Sequence, residues 1–521
     1  MSPAAFHTRY TLLMSSRSLV YSALSGALLG VGFVVPVLWF VSFLGLALFL
    51  WTVRKVQPSS TSAFFHGWLL GLVLHCFALY AIFWHTLPLN WYGIESQWVQ
   101  IVAVGGSWLL ASAVLALGTG VFGVALRWVR KDSSITLLTI PALWVLCEWL
   151  SSFIFSIISA GPGSLIGAHF TLGFVGYLLA NDIVLLQAAV SGGVYVLSFI
   201  VVFVNVLVFR VLTTSTRSEQ ILLVCVVALC LIAYGFGLSI FARADSESTT
   251  STVHVVAVSM NNPAKLHFAP GEDRERAEQL LELVQNKAPN ADVLLLPEAA
   301  TLMRELSPHE RNLLTTRFRV IVDSESVQAV KGDTRSRAVY WYADGTQVFS
   351  DKQLTLPLGE HVPYLYYAFL TFAAPEFRSQ VLDTRSYTSR GVTRLAEAAG
   401  SGFIVRFCNE TMSPLLYAND VRAGSSFLPN ISSHSWFHGS RLVYRQMQNV
   451  AKVRAVESRR WYVQSGNMVP AFALDPYGRV VGETTWGISQ VLSVRVAARD
   501  DITPYVRLMS IFARFGGVDD S

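Results

Sequence analysis

The stretch 221–259 reads ILLVCVVALCLIAYGFGLSIFARADSESTTSTVHVVAVS, and it joins two kinds of sequence. Up to Arg243 it is an apolar run, long enough to cross a bilayer as a helix, which takes about 20 residues. The Ser- and Thr-rich segment Asp245–Thr252 then predicts a short linker. Val253–Ser259 is a β-branched run typical of a buried strand. We therefore expect a helical membrane part before about residue 243 and a mixed α/β part after it.

Apolar runs of this length recur through the first half of the chain. Charged residues make up 14% of the whole sequence, against about 25% in soluble domains, so much of the chain must face lipid. The first two runs are joined through Val34–Pro36, which predicts a tight hairpin. More runs follow at once and no small-residue cleavage site is evident, so the first run is not expected to be a signal peptide. About seven spans are predicted, beginning near Leu19, Val37, Ala63, Val99, Ile135, Ile183 and Ile221.

The basic residues of the connecting loops predict the orientation. The alternate loops 85–97 and 159–182 contain no Lys or Arg. Cytoplasmic loops carry the excess of these residues, so the N-terminus is expected in the cytoplasm and the chain after Arg243 outside it. The basic residues lie in the remaining loops: Arg9, Arg17, Arg54, Lys55, Arg127, Arg130, Lys131, Arg210 and Arg217.

The second half alternates predicted strands and helices. Such alternation, with hairpins, indicates a layered α/β sandwich. The predicted strands are Val253–Ser259, Val293–Leu296 and Phe403–Phe407; the helices are Arg274–Asn286 and Arg445–Ser458; the hairpins are Ala338–Ser350, turning at Asp344-Gly345, and Ala471–Val481, turning at Asp475–Gly478.

Cys408 is the first chemical signal in this half. The other four cysteines lie in predicted spans, whereas Cys408 is the single cysteine after Arg243. An unpaired cysteine outside the cytoplasm is either a buried apolar group or a reactive thiol. Cys408 directly follows a predicted strand, which would project its side chain into a cleft, and the next backbone N–H could help to hold an oxyanion.

Two charged residues occupy comparable positions. Glu298 ends the strand that begins at Val293, and Lys352 follows the hairpin Ala338–Ser350. Each alone is usually a solvated charge. Together with Cys408 they supply a carboxylate, an ammonium and a thiol, and a thiol of ordinary pKa needs such partners to react.

In this order the three residues resemble the catalytic Glu, Lys and Cys of the nitrilase superfamily. With the membrane half included, the chain resembles the apolipoprotein N-acyltransferase family more narrowly, from about Gly26 to Tyr505. In the membrane half the resemblance lies in Pro141–Leu150 and Leu186–Phe199. In the second half it is carried by Pro297-Glu298-Ala299, Lys352-Gln353-Leu354, Pro357–Pro363, Cys408-Asn409-Glu410, Trp436-Phe437, Arg454–Glu457 and Thr503-Pro504-Tyr505.

The sequence departs from the family pattern in three places. Asn409 stands where the family usually has Tyr, and Asn430–Ser435 replaces a more usual Ser-Asn-Asp-Ala before Trp436. The family typically ends in a final span, whereas 506–521 is too short to cross a bilayer and is expected to form a short interfacial stretch.

The resemblance implies a fold and a reaction. The fold would be a transmembrane helical domain over 1–243, a nitrilase-like αββα sandwich over 244–505 and a short tail. The reaction would move an acyl chain from a phospholipid, through a Cys408 thioester, to the α-amine of diacylglyceryl-cysteine in a bacterial apolipoprotein. It implies an inner-membrane protein with a periplasmic catalytic domain, a phosphatidylethanolamine-like donor, and neither a cofactor nor a nucleic-acid partner.

The resemblance also assigns roles. Glu298 would be the general base, and Lys352 with the backbone N–H of Asn409 would stabilise the oxyanion. Glu360 and Glu410 would orient the lysine and the nucleophile turn. Trp436 and Phe437 would line the lipid entrance, although plain core packing is nearly as good an interpretation.

Other classes of function stay open on the sequence. A membrane-tethered amidohydrolase would use the same three residues with water as acceptor. A catalytically impaired homologue would keep a binding role, and a transporter would carry its function in the spans. Glu148 is the main ionisable residue predicted inside a span, and we expect it to face the interior of the helical part. No metal site is predicted, since His361, His434 and His438 lack ligand spacing.

Overall fold

A computed structural model describes residues 3–85, 95–129, 135–213, 216–243, 252–265, 269, 271–330, 333–373, 387–389 and 391–515. The chain divides into two compact units. The first comprises Met1–Phe155, Phe170–Ala189 and Val194–Arg243, and the second comprises Ser156–His169, Val190–Gly193 and Ala244–Ser521. Most of the predicted linker, from Asp245 to Ser251, lies outside the described residues.

The first unit consists of long apolar helices. Within the described ranges, seven helical segments are long and apolar enough to cross a membrane, which confirms a multi-pass membrane protein. The sixth span begins at Ala189 rather than near Ile183, because the side chain of Asp182 caps a separate short helix by accepting the N–H groups of Val184 and Leu185. The helices are α1 (Pro3–Val34), α2 (Ser42–Val56), α3 (Ser60–Trp84), α4 (Gln97–Ala125), α5 (Thr136–Ile158), α6 (Ile183–Leu186), α7 (Ala189–Thr213) and α8 (Arg217–Arg243).

Close helix packing in this unit depends on small residues, as is usual between membrane helices. A Cβ atom at Gly67 of α3 would collide with the carbonyl oxygen of Thr119 of α4. Glu148 of α5 is buried, and its Oε1 accepts the N–H of Val175 at 2.9 Å. The carboxyl group therefore faces the interior of this unit, as its place in a span led us to expect.

The second unit is built on one large mixed sheet. The strands follow the order β12-β11-β10-β1-β2-β3-β4-β5, with β13 paired to β1 and with β9 between β10 and β8. The strands are β1 (Thr252–Met260), β2 (Ala291–Leu295), β3 (Phe318–Val330), β4 (Asp333–Tyr342), β5 (Gln347–Asp351), β6 (Ala396–Ala398), β7 (Ser401–Phe403), β8 (Arg406–Phe407), β9 (Leu428–Ser433), β10 (Tyr462–Asn467), β11 (Phe472–Leu474), β12 (Val480–Glu483) and β13 (Gln490–Ala497). The helices are α9 (Glu272–Lys287), α10 (Leu302–Glu305), α11 (Pro308–Thr315), α12 (Tyr364–Ala373), α13 (Pro414–Arg422), α14 (Arg441–Ser458) and α15 (Pro504–Phe515).

Side chains leave this sheet on two faces, and each face has its own core. Successive residues of a strand point to opposite sides, so Val255 and Ala257 of β1 join one core while Val256 and Val258 join another. The first core also receives residues from β2–β4 and from β8–β11, so these two groups of strands share one interior. The second core is closed by α9 and α11. Helices outside and strands inside confirm the expected α/β sandwich.

Most of the predicted elements are confirmed. The hairpin at Asp344-Gly345 joins β4 to β5, and the turn Asp475–Gly478 joins β11 to β12. Helix α9 buries the predicted face of Ala277, Leu280, Leu281 and Val284. The continuous strand predicted for Phe403–Phe407 is wrong: β7 ends at Phe403 and pairs with β6, whereas β8 begins at Arg406 and pairs with β9.

The last described helix, α15, begins at Pro504 and so includes the Thr-Pro-Tyr element. Its side chains Tyr505, Val506 and Met509 are buried, whereas Leu508 and Ile511 are exposed. The stretch that was expected to be interfacial is thus an amphipathic helix as far as Phe515.

Candidate active site

Glu298 lies just beyond the C-terminal end of β2. The loop that follows is tightly held: Ala299 and Thr301 have φ of 61° and 52°, and the N–H of Ala299 donates to Oγ of Ser324 at 2.7 Å. The Glu298 side chain accepts the backbone N–H of Ser433 at the end of β9. The end of β9 and the segment that follows β2 therefore meet at this carboxylate.

Lys352 directly follows β5, and its backbone N–H donates to the carbonyl oxygen of Ser336 at 2.8 Å. Its Nζ lies 3.0 Å from Oε1 of Glu298 and 2.7 Å from Oε1 of Glu360. The ammonium is buried, with 3% of its side chain exposed. Burial alone lowers the pKa of Lys352, but the two carboxylates more than reverse this effect, so the net pKa is raised. Lys352 is therefore a fixed positive charge.

Glu360 sits in the turn Leu356–His361 and is fixed from both sides. Its Oε1 pairs with Lys352, and its Oε2 accepts the N–H of Leu356 at 2.8 Å. The next residue, His361, is buried, and its ring contacts Thr355 at 2.9 Å and the carbonyl oxygen of Ser159 at 2.9 Å. The structure thus brings Glu298, Lys352 and Glu360 together.

Cys408 begins the 3-10 turn Cys408–Met412, immediately after β8. Its Sγ lies 3.7 Å from the carbonyl oxygen of Ser433 and interacts electrostatically with Glu298 and Lys352. Burial, and then the Glu298 carboxylate, raise the pKa of the Cys408 thiol to about 12. At neutral pH the sulfur is therefore protonated, and its reaction as a nucleophile needs a base beside it.

Glu410 and Asn409 attach this turn to the lysine-bearing segment. Oε1 of Glu410 accepts the N–H groups of Gln353 and Leu354 at 2.6 and 3.1 Å, and Oε2 accepts the N–H of Phe407 at 2.8 Å. Nδ2 of Asn409 donates to the carbonyl oxygen of Leu354 at 2.9 Å. Burial raises the pKa of Glu410, although Arg406 and these N–H groups oppose the shift. The positions of Lys352 and Cys408 are consequently tied to each other.

Trp436 and Phe437 lie in the short 3-10 turn Ser435–Phe437, which follows β9. Both are half-buried, and the Phe437 ring packs edge-on against His434 with centroids 5.5 Å apart. They stand only a few residues after Ser433, which contacts both Cys408 and Glu298. The contact with lipid that the resemblance implies for them remains a prediction.

Sequence patterns predict no role for Ser433, yet its backbone contacts both the Cys408 thiol and the Glu298 carboxylate. Its segment was noted only as a departure from the family pattern. The end of β9 lies beside two other strand ends because of the order of strands in the sheet. Residue types along the sequence do not reveal that order.

For the loop 159–182, the sequence indicates only the absence of Lys and Arg and predicts no contact with the second half. In the structure Ser156–His169 belongs to the second unit. His169 is buried there, and its Nδ1 lies 2.8 Å from Oγ of Ser413, at the end of the nucleophile turn. Burial, and next the charge of Arg406, lower the pKa of His169 to about 4, so this ring is neutral near pH 7.

The arrangement brings two carboxylates, one ammonium and one thiol together, and of the carboxylates Glu298 interacts with the thiol. Burial raises the pKa of Glu298, Lys352 opposes this, Glu360 adds to it, and the net shift is upward. A carboxylate with a raised pKa is a better proton acceptor than an ordinary one once it is ionised. Among the described residues, no group of three His, Cys, Asp or Glu side chains is arranged to hold a metal ion.

Similarity to known proteins covers both halves of the chain. Residues 25–207 match the family model described as the apolipoprotein N-acyltransferase N-terminal domain. A protein of Geobacter metallireducens with the name apolipoprotein N-acyltransferase is 27% identical, over 95% of this chain and 92% of its own. A protein of the same name from Azotobacter vinelandii is 25% identical, over 90% of this chain and 87% of its own.

Two solved structures resemble the second half. A CN-hydrolase superfamily protein of Xanthomonas campestris aligns with 52% of this chain and 98% of its own, with a TM-score of 0.35 and 15% identity. A nitrilase superfamily member from Saccharomyces cerevisiae aligns with 52% of this chain and 97% of its own, with a TM-score of 0.35 and 14% identity.

Proposed function

We propose that this chain, which is similar to apolipoprotein N-acyltransferases over most of its length, belongs to that family and moves a fatty acyl chain from a membrane phospholipid to a bacterial apolipoprotein. The acceptor is the free α-amine of an N-terminal diacylglyceryl-cysteine. The donor is a phospholipid of the phosphatidylethanolamine class. Cys408 carries the acyl chain between them as a thioester.

In the first half-reaction, the sulfur of Cys408 attacks the carbonyl carbon of a phospholipid acyl ester. Glu298 accepts the thiol proton as the C–S bond forms, since the raised pKa of Cys408 leaves little thiolate beforehand. The C–O bond to glycerol then breaks, and the proton on Glu298 passes to the departing oxygen. The products are a lysophospholipid and the acyl-enzyme.

The developing oxyanion needs fixed positive charge or N–H donors. Lys352 supplies the charge, since its two carboxylate partners keep it protonated and hold it in place. The N–H of Asn409 supplies a donor, because N–H groups in the first turn of a helix have no partner within that turn.

In the second half-reaction, the neutral amine of diacylglyceryl-cysteine attacks the thioester carbon. An N–C bond forms, the C–S bond breaks, and one amine proton passes through Glu298 to the sulfur. The products are the N-acylated lipoprotein and the free Cys408 thiol. An α-amine has a pKa of about 7.7–8.0, so a useful fraction is neutral near pH 7.

The single observation that supports this reaction best is the position of Lys352 Nζ, 3.0 Å from Glu298 and 2.7 Å from Glu360. At this position the ammonium also interacts electrostatically with Cys408. This position supports the roles of Glu298 as base and Lys352 as oxyanion stabiliser beside the Cys408 thiol. Membrane spans in the same chain suit an enzyme with two lipid substrates, and the proposed location is the inner bacterial membrane with the second unit on the periplasmic side.

The experiment is an acyl transfer in proteoliposomes that contain phosphatidylethanolamine with a deuterated acyl chain and a synthetic diacylated lipopeptide. Mass spectrometry should find the lipopeptide heavier by one deuterated acyl group, together with lysophospholipid in equal amount. A Cys408→Ser variant is the control for background transfer. Free fatty acid in place of acylated lipopeptide would instead identify a hydrolase, and transfer that persists in Cys408→Ser would overturn the thioester route.

A further inference from the structure

A buried hydrogen-bond network lies directly behind the nucleophile. Oγ1 of Thr411 donates to the carbonyl oxygen of Cys408 at 2.9 Å. The same oxygen lies 2.9 Å from the hydroxyl of Tyr462 and 3.1 Å from Nδ2 of Asn430. Thr411, Tyr462 and Asn430 are each no more than 2% exposed, so water does not compete for these bonds.

Hydrogen-bond counting fixes the direction of the bond between Thr411 and Cys408. A threonine hydroxyl has one proton and two acceptor positions. The Cys408 carbonyl can only accept, so the proton of Thr411 points to it. Asn430 can only donate from Nδ2, so it fills one acceptor position of Thr411, and the Tyr462 hydroxyl, whose single proton also reaches Oε1 of Gln464 at 3.4 Å, contacts the other. The Thr411 hydroxyl is therefore saturated, with its single proton committed to Cys408.

Rigid elements carry the partners of Thr411. Asn430 is on β9 and Tyr462 is on β10, and these strands pair in parallel. The Tyr462 ring stacks on Phe472 of β11, with centroids 5.9 Å apart and planes 17° apart. Nδ2 of Asn430 also donates to the hydroxyl of Tyr417 at 3.1 Å. The Thr411 hydroxyl is thus held by residues of the sheet as well as by its bond to Cys408 within the turn.

We propose that Thr411, backed by Tyr462 and Asn430, is a positioning residue that fixes the backbone of Cys408 and so aims its sulfur. The proposal rests on the proposed function of Cys408 as the acylated nucleophile. Glu410 holds the same turn to the lysine-bearing segment, and Thr411 holds it to the sheet. The geometry of attack on an ester tolerates little displacement, and a misplacement of about 1 Å can cost a large part of the rate.

The test compares Thr411→Val, which removes the hydroxyl at nearly constant shape, with Thr411→Ser, which keeps it. The full-length protein is purified in detergent, and single-turnover acylation of Cys408 by phosphatidylethanolamine is followed by intact mass spectrometry over a range of donor concentrations. Thr411→Val should lower the limiting acylation rate by about tenfold or more, with the half-saturating donor concentration unchanged. Thr411→Ser should stay within about threefold of the wild type.

A limiting rate for Thr411→Val within threefold of that of Thr411→Ser overturns the proposal. So does a loss expressed only as a higher half-saturating donor concentration, because that would assign Thr411 to lipid binding. If Thr411→Val is not recovered in folded form, Tyr462→Phe, which removes only the hydroxyl behind Thr411, takes its place with the same expected loss of limiting rate. Absence of acylation in the wild type would count against the proposed function itself, which makes the two failures distinguishable.

Discussion

The chemistry of the site depends on how charges are paired around Lys352. One ammonium serves two carboxylates, and the thiol beside them stays protonated because burial and Glu298 both raise its pKa. A resting thiol with an adjacent base is consistent with a nucleophile that is activated only when an acyl ester is bound. The sequence could single out Glu298, Lys352 and Cys408 as candidates because each lies near a predicted strand end and because their order resembles that of a known superfamily. It could not identify Ser433, which acts through its backbone and has no residue-type signal.

Replacement of Glu298 by Gln should slow acylation of Cys408 by about 10²-fold or more, since the amide cannot accept the thiol proton. Single-turnover mass spectrometry of the acyl-enzyme measures this rate. Glu282→Gln, on an exposed part of α9, is the matched control and should leave the rate unchanged. An acylation rate for Glu298→Gln close to that of the control would show that another group is the base.

The acylation rate should fall as the pH falls through the pKa of Glu298, because only the ionised carboxylate accepts the proton. Burial raises that pKa, Lys352 lowers it and Glu360 raises it, with a net upward shift, so the acid limb should lie above the ordinary value of about 4.3. In Glu360→Gln a like charge is lost, the pKa of Glu298 falls, and the limb should move to lower pH. A pH–rate profile of both proteins measures the shift, and movement to higher pH would contradict this electrostatic account.

Among the elements, the short strand β8 matters for the site because Cys408 directly follows it. Its Arg406 forms a two-bond pair with Asp420 of α13, at 2.7 and 2.5 Å, and both side chains are buried. The sequence predicted a continuous strand here, since 403–407 is uniformly apolar or β-branched apart from Arg406. A change of strand partner at 404–405 depends on tertiary pairing, so local pattern could not reveal it. The amphipathic α9 and the Asp-Gly hairpin were predictable because their signals are entirely local.

Substitution of Asp420 by Ala should lower the free energy of unfolding by up to about 3–5 kcal/mol, because it leaves the buried Arg406 guanidinium with only the more distant carboxylate of Glu410, 3.6 Å away. Thermal unfolding of the detergent-solubilised protein reports the change. Glu278→Ala removes an exposed ion pair with Arg274 on α9 and is expected to cost less than about 1 kcal/mol. Equal losses for the two variants would mean that the buried pair contributes little.

At the scale of the whole molecule, the described residues include seven apolar helices that precede most of the second unit in the chain. The second unit is therefore attached to a membrane. The number of spans was predictable from the lengths of apolar runs. The assignment of Ser156–His169 to the second unit was not, because a loop between spans carries no signal of the domain that it joins. The side of the membrane on which the second unit lies follows from basic residues alone and is a proposal that can be tested directly.

In a variant whose native cysteines are replaced, Glu282→Cys should react with a membrane-impermeant maleimide in intact spheroplasts. Lys55→Cys, which is exposed in the last turn of α2, should react only after permeabilisation. The reason is that loops rich in Lys and Arg stay in the cytoplasm. Gel-shift or mass labelling measures both, and the reverse pattern would place the second unit in the cytoplasm, away from the proposed substrates.

The central claim is that Cys408 carries an acyl chain, and intact mass spectrometry after incubation with phosphatidylethanolamine tests it most directly. The account predicts one acyl adduct that maps to Cys408, is released by hydroxylamine, is absent in Cys408→Ala and disappears when a diacylated lipopeptide is added. An unmodified wild-type protein that nevertheless acylates the lipopeptide, or an adduct at another residue, would contradict it.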